Sequence, residues 1–194
     1  MKKYYITVAS TAMVFFVSCK KNIITNESTN NLDTLITKVI DTAALIQKAK
    51  EDMVNLAKPY NEKEDAHVVI DNLISQAKKE GKNVFVQAGG NWCIWCLRFS
   101  DFVQNNPKLK QITEDNYLYY HLNYSKENKN DEVFERYAPN GKKFGFPFFF
   151  IIDQNGNVLD VLSSDSIANE GDDDAYYDED KTKKLFLKYS PASL

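Results

Sequence analysis

The chain has 194 residues, a formal net charge of −3 at pH 7, and 43% hydrophobic residues that include twelve phenylalanines. These apolar side chains are enough for one packed core, and the length fits a single domain with an additional N-terminal segment. Mild acidity without a long basic run gives no support for nucleic-acid binding, so we predict none.

The first eighteen residues have the pattern of an export signal. Met1-Lys2-Lys3 is positively charged, and the fourteen residues from Tyr4 to Val17 are uncharged and largely apolar. This stretch is short for a membrane-spanning helix. Its end, Ser18 followed by Cys19, resembles the lipobox of bacterial lipoproteins, in which the cysteine is lipidated and becomes the new N-terminus. We therefore expect residues 1–18 to be a signal peptide and Cys19 to carry the lipid. The alternative is a plain secretory signal with an incidental cysteine.

This interpretation predicts a location in the bacterial cell envelope, with the protein anchored to the membrane by its lipid and facing the periplasm. Lys20 and Lys21 follow Cys19 where an acidic sorting residue would stand, which slightly favours the outer membrane. Disulfides persist outside the cytoplasm, so a thiol pair there is either a stable closed bond or is kept reduced by an electron donor.

The region between the signal and the domain has two parts. Residues 20–31 are rich in Asn, Thr, Ser and Lys and predict a flexible spacer. Apolar residues then recur at helical spacing over residues 32–56, which predicts an amphipathic helix that packs on the domain or supports the tether. We accordingly divide the mature chain into the lipidated cysteine with tether and helix, 19–60, and a domain, 61–194.

The domain sequence alternates between helix and strand patterns. The patterns predict helices at 64–79, 93–104, 131–137 and 180–189, and strands at 83–87, 117–124, 147–152 and 158–162. Gly81 ends the first of these helices, and Pro107 ends or kinks the second. Asn155-Gly156 predicts a hairpin between the last two strands. This order predicts an α/β domain with a mixed sheet covered by helices on both faces.

The chemistry of the sequence is concentrated in one cysteine pair. Apart from Cys19, the chain contains only Cys93 and Cys96, separated by two residues. Cys93 falls at the first turn of its predicted helix, where unpaired amides and the helix dipole stabilise a thiolate and lower the thiol pKa. Cys96 lies one turn further in and is expected to be more buried. Cys93 is then the nucleophile that attacks a partner disulfide, and Cys96 resolves the mixed disulfide.

Other uses of the cysteines fit the sequence less well. A c-type haem site requires a histidine directly after the second cysteine, where this chain has Leu97. A structural zinc site requires two further ligands, and His67 and His121 lie on different predicted elements. The acidic segment 170–180 lacks calcium-binding spacing and predicts a solvated loop. We therefore predict no metal and no cofactor beyond the redox-active cysteine pair.

Two separated motifs resemble the thioredoxin superfamily. The strand Val84–Gln87 leads into Trp92-Cys93-Ile94-Trp95-Cys96 as the first active-site strand of that family leads into its WCxxC turn. Gly145-Phe146-Pro147, followed by an apolar strand, resembles the family's cis-proline loop. The likeness covers residues 62–190 and is nearest to exported, lipid-anchored bacterial thioredoxin-like proteins with a WCxWC motif. It implies a three-layer sandwich, with a mixed central sheet and helices on both faces, preceded by the N-terminal tether and helix.

The resemblance also implies a substrate-binding surface. A cis bond before Pro147 would bring its loop against the two sulfurs, and the backbone of Phe146 would pair with an extended substrate segment. We expect Trp92, Trp95 and Phe146 to form an aromatic collar together with Pro147. Phe148 is expected to belong to the core instead.

The sequence departs from the family at three points. Ile94-Trp95 stands between the cysteines in place of the Gly-Pro of thioredoxin or the Pro-His of DsbA, so neither redox potential transfers to this chain. Gln87 takes the place of a buried aspartate that helps to deprotonate the resolving cysteine, and an amide accepts no proton. His121 lies where thioredoxins often carry a lysine and is either a substitute proton relay or a structural histidine.

The sequence thus predicts a thiol-disulfide oxidoreductase that reduces disulfides of exported proteins and receives electrons from a membrane donor that the sequence does not identify. Two alternatives remain open. The domain is a non-catalytic binding module with a static disulfide, or it is a disulfide oxidase or isomerase. An exposed Cys93 sulfur would favour catalysis, and wholly buried sulfurs would favour the binding module.

Overall fold

The computed structural model describes residues 26–169 and 176–193. The predicted signal peptide and lipidation site, and residues 170–175 of the acidic segment, lie outside this range. The chain divides into two compact units, residues 1–44 and 45–194. The second unit contains the sheet and the cysteine pair.

The described residues form the following helices and strands. The α-helices are α1 (Asn26–Asn55), α2 (Ala66–Glu80), α3 (Ile94–Asn105), α4 (Pro107–Asn116), α5 (Asp131–Tyr137) and α6 (Glu179–Lys188). The strands are β1 (Asn83–Gly89), β2 (Tyr117–Asn123), β3 (Phe148–Ile152) and β4 (Val158–Ser163). Short 3-10 helices occupy Gly141–Phe144, Ser164–Ile167 and Pro191–Ser193.

The four strands form one mixed sheet in the order β2-β1-β3-β4. Strand β2 runs parallel to β1, whereas β3 is antiparallel to β1 and β4 is antiparallel to β3. The predicted hairpin between β3 and β4 is present, and its Gly156 has a φ of 85°, a conformation that glycine adopts without steric cost. All seven residues of the central strand β1 are buried, as expected for a strand covered on both faces.

Alternation along β1 divides the core into two layers. Val84, Val86 and Ala88 face a cluster that contains residues of α2 and α5. Phe85 faces the opposite cluster, which is built from α3, α4 and α6. The predicted three-layer arrangement with helices on both faces is therefore confirmed.

Local signals place most element ends close to their predicted positions. Asp65 caps α2 by accepting hydrogen bonds from two backbone amides, and Gly81 ends this helix in the left-handed conformation with a φ of 67°. Helix α5 has the predicted bounds. The sequence did not predict α4: Asn106 both ends α3 and caps α4, and Pro107 opens α4 at its first position.

Helix α1 differs from its predicted bounds at the N-terminal end. It begins at Asn26 and so includes six residues assigned to the flexible spacer, whose low helix propensity is only a weak guide. Within the second unit, the last turns of α1 pack on the domain. Asp52 pairs with Arg98 of α3 at 2.7 Å, and Met53 and Leu56 contact the cluster around the cysteines.

Candidate active site

The cysteine pair closes a disulfide at the N-terminus of α3. Cys93 is the N-cap residue, and its Sγ accepts a hydrogen bond from the backbone N–H of Cys96 at 3.2 Å. The Cα atoms of the two cysteines are 5.2 Å apart. Cys93 is 5% exposed and Cys96 is fully buried. The helix N-terminus offers unpaired amides and a positive dipole end to a thiolate on Cys93, which favours that sulfur as the nucleophile.

The loop that contains Phe146 and Pro147 lies against the disulfide. The Phe146–Pro147 peptide bond is cis, and the carbonyl oxygen of Phe146 lies 3.6 Å from Cys93 Sγ. A disulfide sulfur carries no hydrogen, so this is a contact in the oxidised protein. In the reduced protein the Cys93 thiol has this carbonyl as an acceptor. The structure thus brings Phe146 and Pro147 to the pair across more than fifty residues of chain.

Two half-exposed tryptophans stand on either side of the pair. Trp92 is 52% exposed, and its indole N–H donates to the carbonyl oxygen of Tyr124 at 2.7 Å. The Trp92 ring meets Phe146 edge-on at 5.6 Å, and Phe146 in turn stacks on Tyr124. Trp95 is 46% exposed and meets the ring of Tyr176 edge-on at 5.0 Å. Of these aromatic residues, Phe146 also packs against the buried cluster that contains the two cysteines.

A groove runs between the two aromatic walls. It has a volume of about 470 Å³, and its lining includes Trp95, Gly145, Phe146, Asp165 and Tyr176. Large exposed aromatic side chains next to a reactive bond are suited to holding a polypeptide segment. Phe148, by contrast, is fully buried in the core.

The side chain of Gln87 organises the buried end of the disulfide. Its Nε2 donates to the carbonyl oxygen of Cys96 at 2.8 Å and to the hydroxyl oxygen of Tyr60 at 2.6 Å. The hydroxyl of Tyr119 donates to Gln87 Oε1 at 2.6 Å. Every hydrogen-bonding group of this fully buried amide therefore has a partner, and Gln87 holds the first turn of α3 in position.

Tyr60 is a site residue that sequence reasoning missed. It is 3% exposed and belongs to one buried cluster with Cys93, Cys96 and Leu97. Burial raises the pKa of its hydroxyl well above the ordinary value. The sequence had assigned this residue to the end of the tether region, and no local motif marks it as a neighbour of the cysteines.

His121 faces a different set of partners. Its Nε2 lies 3.0 Å from the hydroxyl oxygen of Ser100, and its ring packs against those of Tyr60 and Tyr119. Burial lowers the pKa of His121 to about 4, because the charged imidazolium loses solvation. The histidine is therefore neutral at neutral pH, and its role as a proton relay stays a prediction.

Two small residues make room for this arrangement. A Cβ atom on Gly89 would lie 2.5 Å from Cys96 Sγ and 2.8 Å from the hydroxyl oxygen of Tyr60. A Cβ atom on Gly90 would lie 2.4 Å from Nε1 of Trp92. The Gly89-Gly90 turn thus permits the close approach of backbone and sulfur that the site requires.

Among the described residues, no cluster of His, Cys, Asp and Glu has a geometry able to hold a metal ion. Within the same ranges, none of the helices is long and apolar enough to cross a membrane. Cys19 lies outside the described residues, so its lipidation stays a prediction.

Residues 70–165 match the family model of the thioredoxin-like domain. The comparison with curated proteins found no match. Among solved structures, the chain is similar to a disulphide isomerase from Xylella fastidiosa Temecula1, with 20% identity and a TM-score of 0.57 over 69% of this chain and 97% of that chain. It also matches the oxidised C-terminal domain of DsbD from Neisseria meningitidis, with 15% identity and a TM-score of 0.44 over 64% of this chain and 95% of that chain. At 20% identity, the first likeness is evidence for the fold.

Proposed function

Because the chain carries a thioredoxin-like domain, we propose that it is a thiol-disulfide oxidoreductase that reduces disulfides of exported proteins. The observation that carries this proposal is the position of the Cys93–Cys96 disulfide. Cys93 caps the N-terminus of α3 and lies 3.6 Å from the Phe146 carbonyl, while Cys96 is buried behind it. This arrangement supports a role for Cys93 in meeting the partner and for Cys96 in completing the exchange.

The reaction needs only the two sulfurs and the partner disulfide. The Cys93 thiolate attacks one sulfur of the partner, and the partner's other sulfur leaves as a thiolate. Cys96 then attacks Cys93 Sγ, which releases the second partner sulfur and closes the internal disulfide. Each turnover oxidises the pair, so a membrane donor of electrons must reduce it again.

We assign partner binding to the aromatic collar of Trp92, Trp95, Phe146 and Pro147. The two tryptophans are half exposed and flank the disulfide, and the groove of about 470 Å³ begins beside Trp95 and Phe146. An extended segment lying there would bring its own disulfide to Cys93. Trp95→Ala is expected to raise the KM for a disulfide-containing peptide while the reactivity with glutathione disulfide, which is too small to use the groove, changes little.

The direction of the reaction is tested by the reduction potential. Residues 20–194 would be equilibrated with dithiol and glutathione buffers, with Cys96→Ser as the variant unable to cycle. A potential near the −270 mV or so of thioredoxin supports a reductase, whereas one near the −120 mV or so of DsbA indicates an oxidant. An intermediate potential with disulfide-shuffling activity indicates an isomerase.

The low exposure of Cys93 favours a second candidate function. Only 5% of the surface of Cys93 is exposed to solvent in the oxidised protein. A domain whose disulfide never exchanges would serve as a binding module that holds partners through the same collar. Failure to exchange with any of the redox buffers would contradict the oxidoreductase and leave the binding module as the remaining function.

We also propose that Cys19 anchors the protein by a lipid, facing the periplasm. The support is the positive charge of Lys2 and Lys3, the apolar stretch of residues 4–17, and the position of Cys19 where a cleavage site belongs. Labelling of cells with a radioactive fatty acid is expected to mark the wild-type chain and to leave Cys19→Ser unlabelled. Equal labelling of both chains would contradict the anchor.

A further inference from the structure

The fully buried sulfur of Cys96 must carry negative charge during exchange. When a partner thiolate attacks Cys93 Sγ, the electron pair of the internal bond departs on Cys96 Sγ. In the opposite direction, Cys96 reacts as a thiolate with Cys93 Sγ. A buried thiolate is costly unless a hydrogen-bond donor or a positive charge faces it.

The described groups around this sulfur bring no unpaired positive charge. His121 is neutral at neutral pH, because burial lowers its pKa to about 4. Burial raises the pKa of Tyr119 and of Tyr177, so both hydroxyls keep their protons. Arg98, two residues after Cys96, is paired with Asp52. The remaining means of stabilisation is a neutral hydrogen-bond donor.

The orientation of Gln87 identifies that donor. A carbonyl oxygen only accepts hydrogen bonds, so the amino group of Gln87 must face the carbonyl of Cys96. The second hydrogen of the same amino group then goes to the oxygen of Tyr60. Tyr60 is thereby an acceptor toward Gln87, and its own hydroxyl hydrogen is left to point elsewhere.

The surroundings of Gly89 show which acceptor lies near this hydrogen. One position, that of a Cβ on Gly89, is 2.5 Å from Cys96 Sγ and 2.8 Å from the Tyr60 oxygen. Because both distances are this short, the sulfur and the hydroxyl oxygen are close neighbours on the same side of Gly89. The backbone of Tyr60 is fixed there, since its N–H donates to Asn91 Oδ1 at 3.1 Å and its carbonyl oxygen accepts from Asn91 Nδ2 at 2.8 Å.

We propose that Tyr60 stabilises the Cys96 thiolate by donating its hydroxyl hydrogen to that sulfur whenever the Cys93–Cys96 bond is open. No proton is transferred, so the tyrosine serves exchange in both directions. Tyr60 thus takes over, through a neutral hydrogen bond, part of the role expected of the group that Gln87 replaces. This inference deepens the proposed function and relies on it for its biological meaning.

The test measures the thiolate of Cys96 directly in the full chain. Cys19→Ser and Cys93→Ala together leave Cys96 as the only thiol, whose ionisation is followed by the ultraviolet absorbance of the thiolate against pH. Adding Tyr60→Phe is expected to raise the pKa of Cys96 by about one pH unit, since a hydrogen bond to a charged acceptor is lost. Tyr119→Phe is the matched control, because it removes a hydroxyl from the same network and leaves Tyr60 in place.

The two variants together decide the proposal. A higher pKa in Tyr60→Phe with little change in Tyr119→Phe supports it. No change in Tyr60→Phe, or equal changes in both, overturns it, because a general disturbance of Gln87 would then explain the result.

A second measurement does not depend on the folding of the Tyr60 variant. In the single-thiol chain with Tyr60 intact, tyrosine labelled with ¹³C at Cζ reports the hydrogen bonding of each hydroxyl. The Tyr60 signal is expected to titrate with the pKa of Cys96, and a signal that stays constant overturns the proposal. Neither measurement needs turnover. A chain that fails to exchange with redox buffers yet shows the Tyr60 effect contradicts the proposed function alone, and a chain that exchanges without the effect contradicts this inference alone.

Discussion

The backbone of Tyr60 and the side chain of Asn91 form a reciprocal pair of hydrogen bonds. Asn91 lies in the turn directly before Trp92-Cys93, and Tyr60 lies thirty-one residues earlier, before α2. The pair joins the segment that follows α1 to the loop that positions the cysteines. Met53 and Leu56 add apolar contacts to the buried cluster that contains Tyr60 and the two cysteines. Met53, Leu56 and Tyr60 together form a wall behind the disulfide, and all three precede the family match at 70–165.

The first prediction compares two shortened chains. Residues 45–194 keep this wall, whereas residues 61–194 lack Tyr60, the apolar contacts and the Asp52 partner of Arg98. We expect 61–194 to be less stable than 45–194 by at least about 3 kcal/mol, since buried apolar area and a charge partner are lost together. Unfolding in urea measures the difference. Equal stability would show that the segment before residue 61 contributes nothing to the domain.

The second prediction concerns Gly89. Its Cβ would overlap with Cys96 Sγ and the Tyr60 hydroxyl, both of which are buried and fixed by their partners. We expect Gly89→Ala to lower the free energy of unfolding by about 1 to 3 kcal/mol and to slow disulfide exchange, because the surrounding groups must shift.

Gly90→Ala is the comparison for this substitution. Its Cβ would meet the indole of Trp92, which is half exposed, and then the Tyr124 carbonyl at 3.0 Å. Because this indole is half exposed and its displacement breaks only its hydrogen bond to the Tyr124 carbonyl and its contact with Phe146, a smaller loss of stability is expected. A larger loss of stability in Gly90→Ala than in Gly89→Ala would contradict the prediction that the contact of a Cβ at position 89 with Cys96 Sγ is the more costly one.

The strands and most helices were predictable because their signals are local. Short apolar runs rich in β-branched or aromatic residues mark the strands, and residues such as Gly81 and Asn155-Gly156 mark where elements end. Helix α4 was missed because Leu109 and Thr113 are its only buried residues, which leaves almost no apolar periodicity. The sequence predicts that Pro107 ends or kinks one helix, although a proline is equally suited to the first turn of the next.

The spacing of the two cysteines and their place at a helix start predict a redox pair, whereas the roles of the tryptophans and of the Phe146-Pro147 loop are implied by the resemblance to the thioredoxin superfamily. The network behind the sulfur was beyond such reasoning. In the sequence, Gln87 differs from the family only by lacking a carboxylate, whereas in the structure the two ends of its amide connect Tyr60, Tyr119 and the Cys96 backbone. Contacts of this kind join positions far apart in the chain, and no periodicity or spacing records them.

The third prediction uses the titration of His121. Its pKa is lowered from 6.5 to about 4, so between these values the unfolded chain binds more protons than the folded one. Stability contributed by the neutral histidine is present above about pH 6.5 and is lost as the pH falls toward 4. We expect His121→Gln to remove this loss, up to about 3 kcal/mol over the window, when unfolding of the two chains is compared at each pH.

Disulfide exchange by His121→Gln provides a separate readout. The histidine is hydrogen-bonded to Ser100 and neutral, so the pH profile of exchange is expected to match that of the wild type. A profile that changes shape with the substitution would support the proton relay instead.

The last prediction concerns the ion pair between α1 and α3. Arg98 is almost fully buried, and both its Nε and one terminal nitrogen lie within 2.8 Å of Asp52 Oδ2, while its guanidinium stacks on the Tyr176 ring at 3.9 Å. Asp52→Asn keeps the shape of the side chain but leaves the arginine charge without a counter-charge in a poorly solvated site. We expect a loss of about 2 kcal/mol in the free energy of unfolding, below the range for fully buried pairs because the aspartate is partly exposed.

Glu114→Gln is the matched control for this substitution. It makes the same chemical change in the exposed Lys110–Glu114 pair at 3.9 Å and is expected to cost less than about 0.5 kcal/mol. Equal losses of stability in Asp52→Asn and Glu114→Gln would show that the buried Arg98 depends on its carboxylate partner no more than an exposed lysine does.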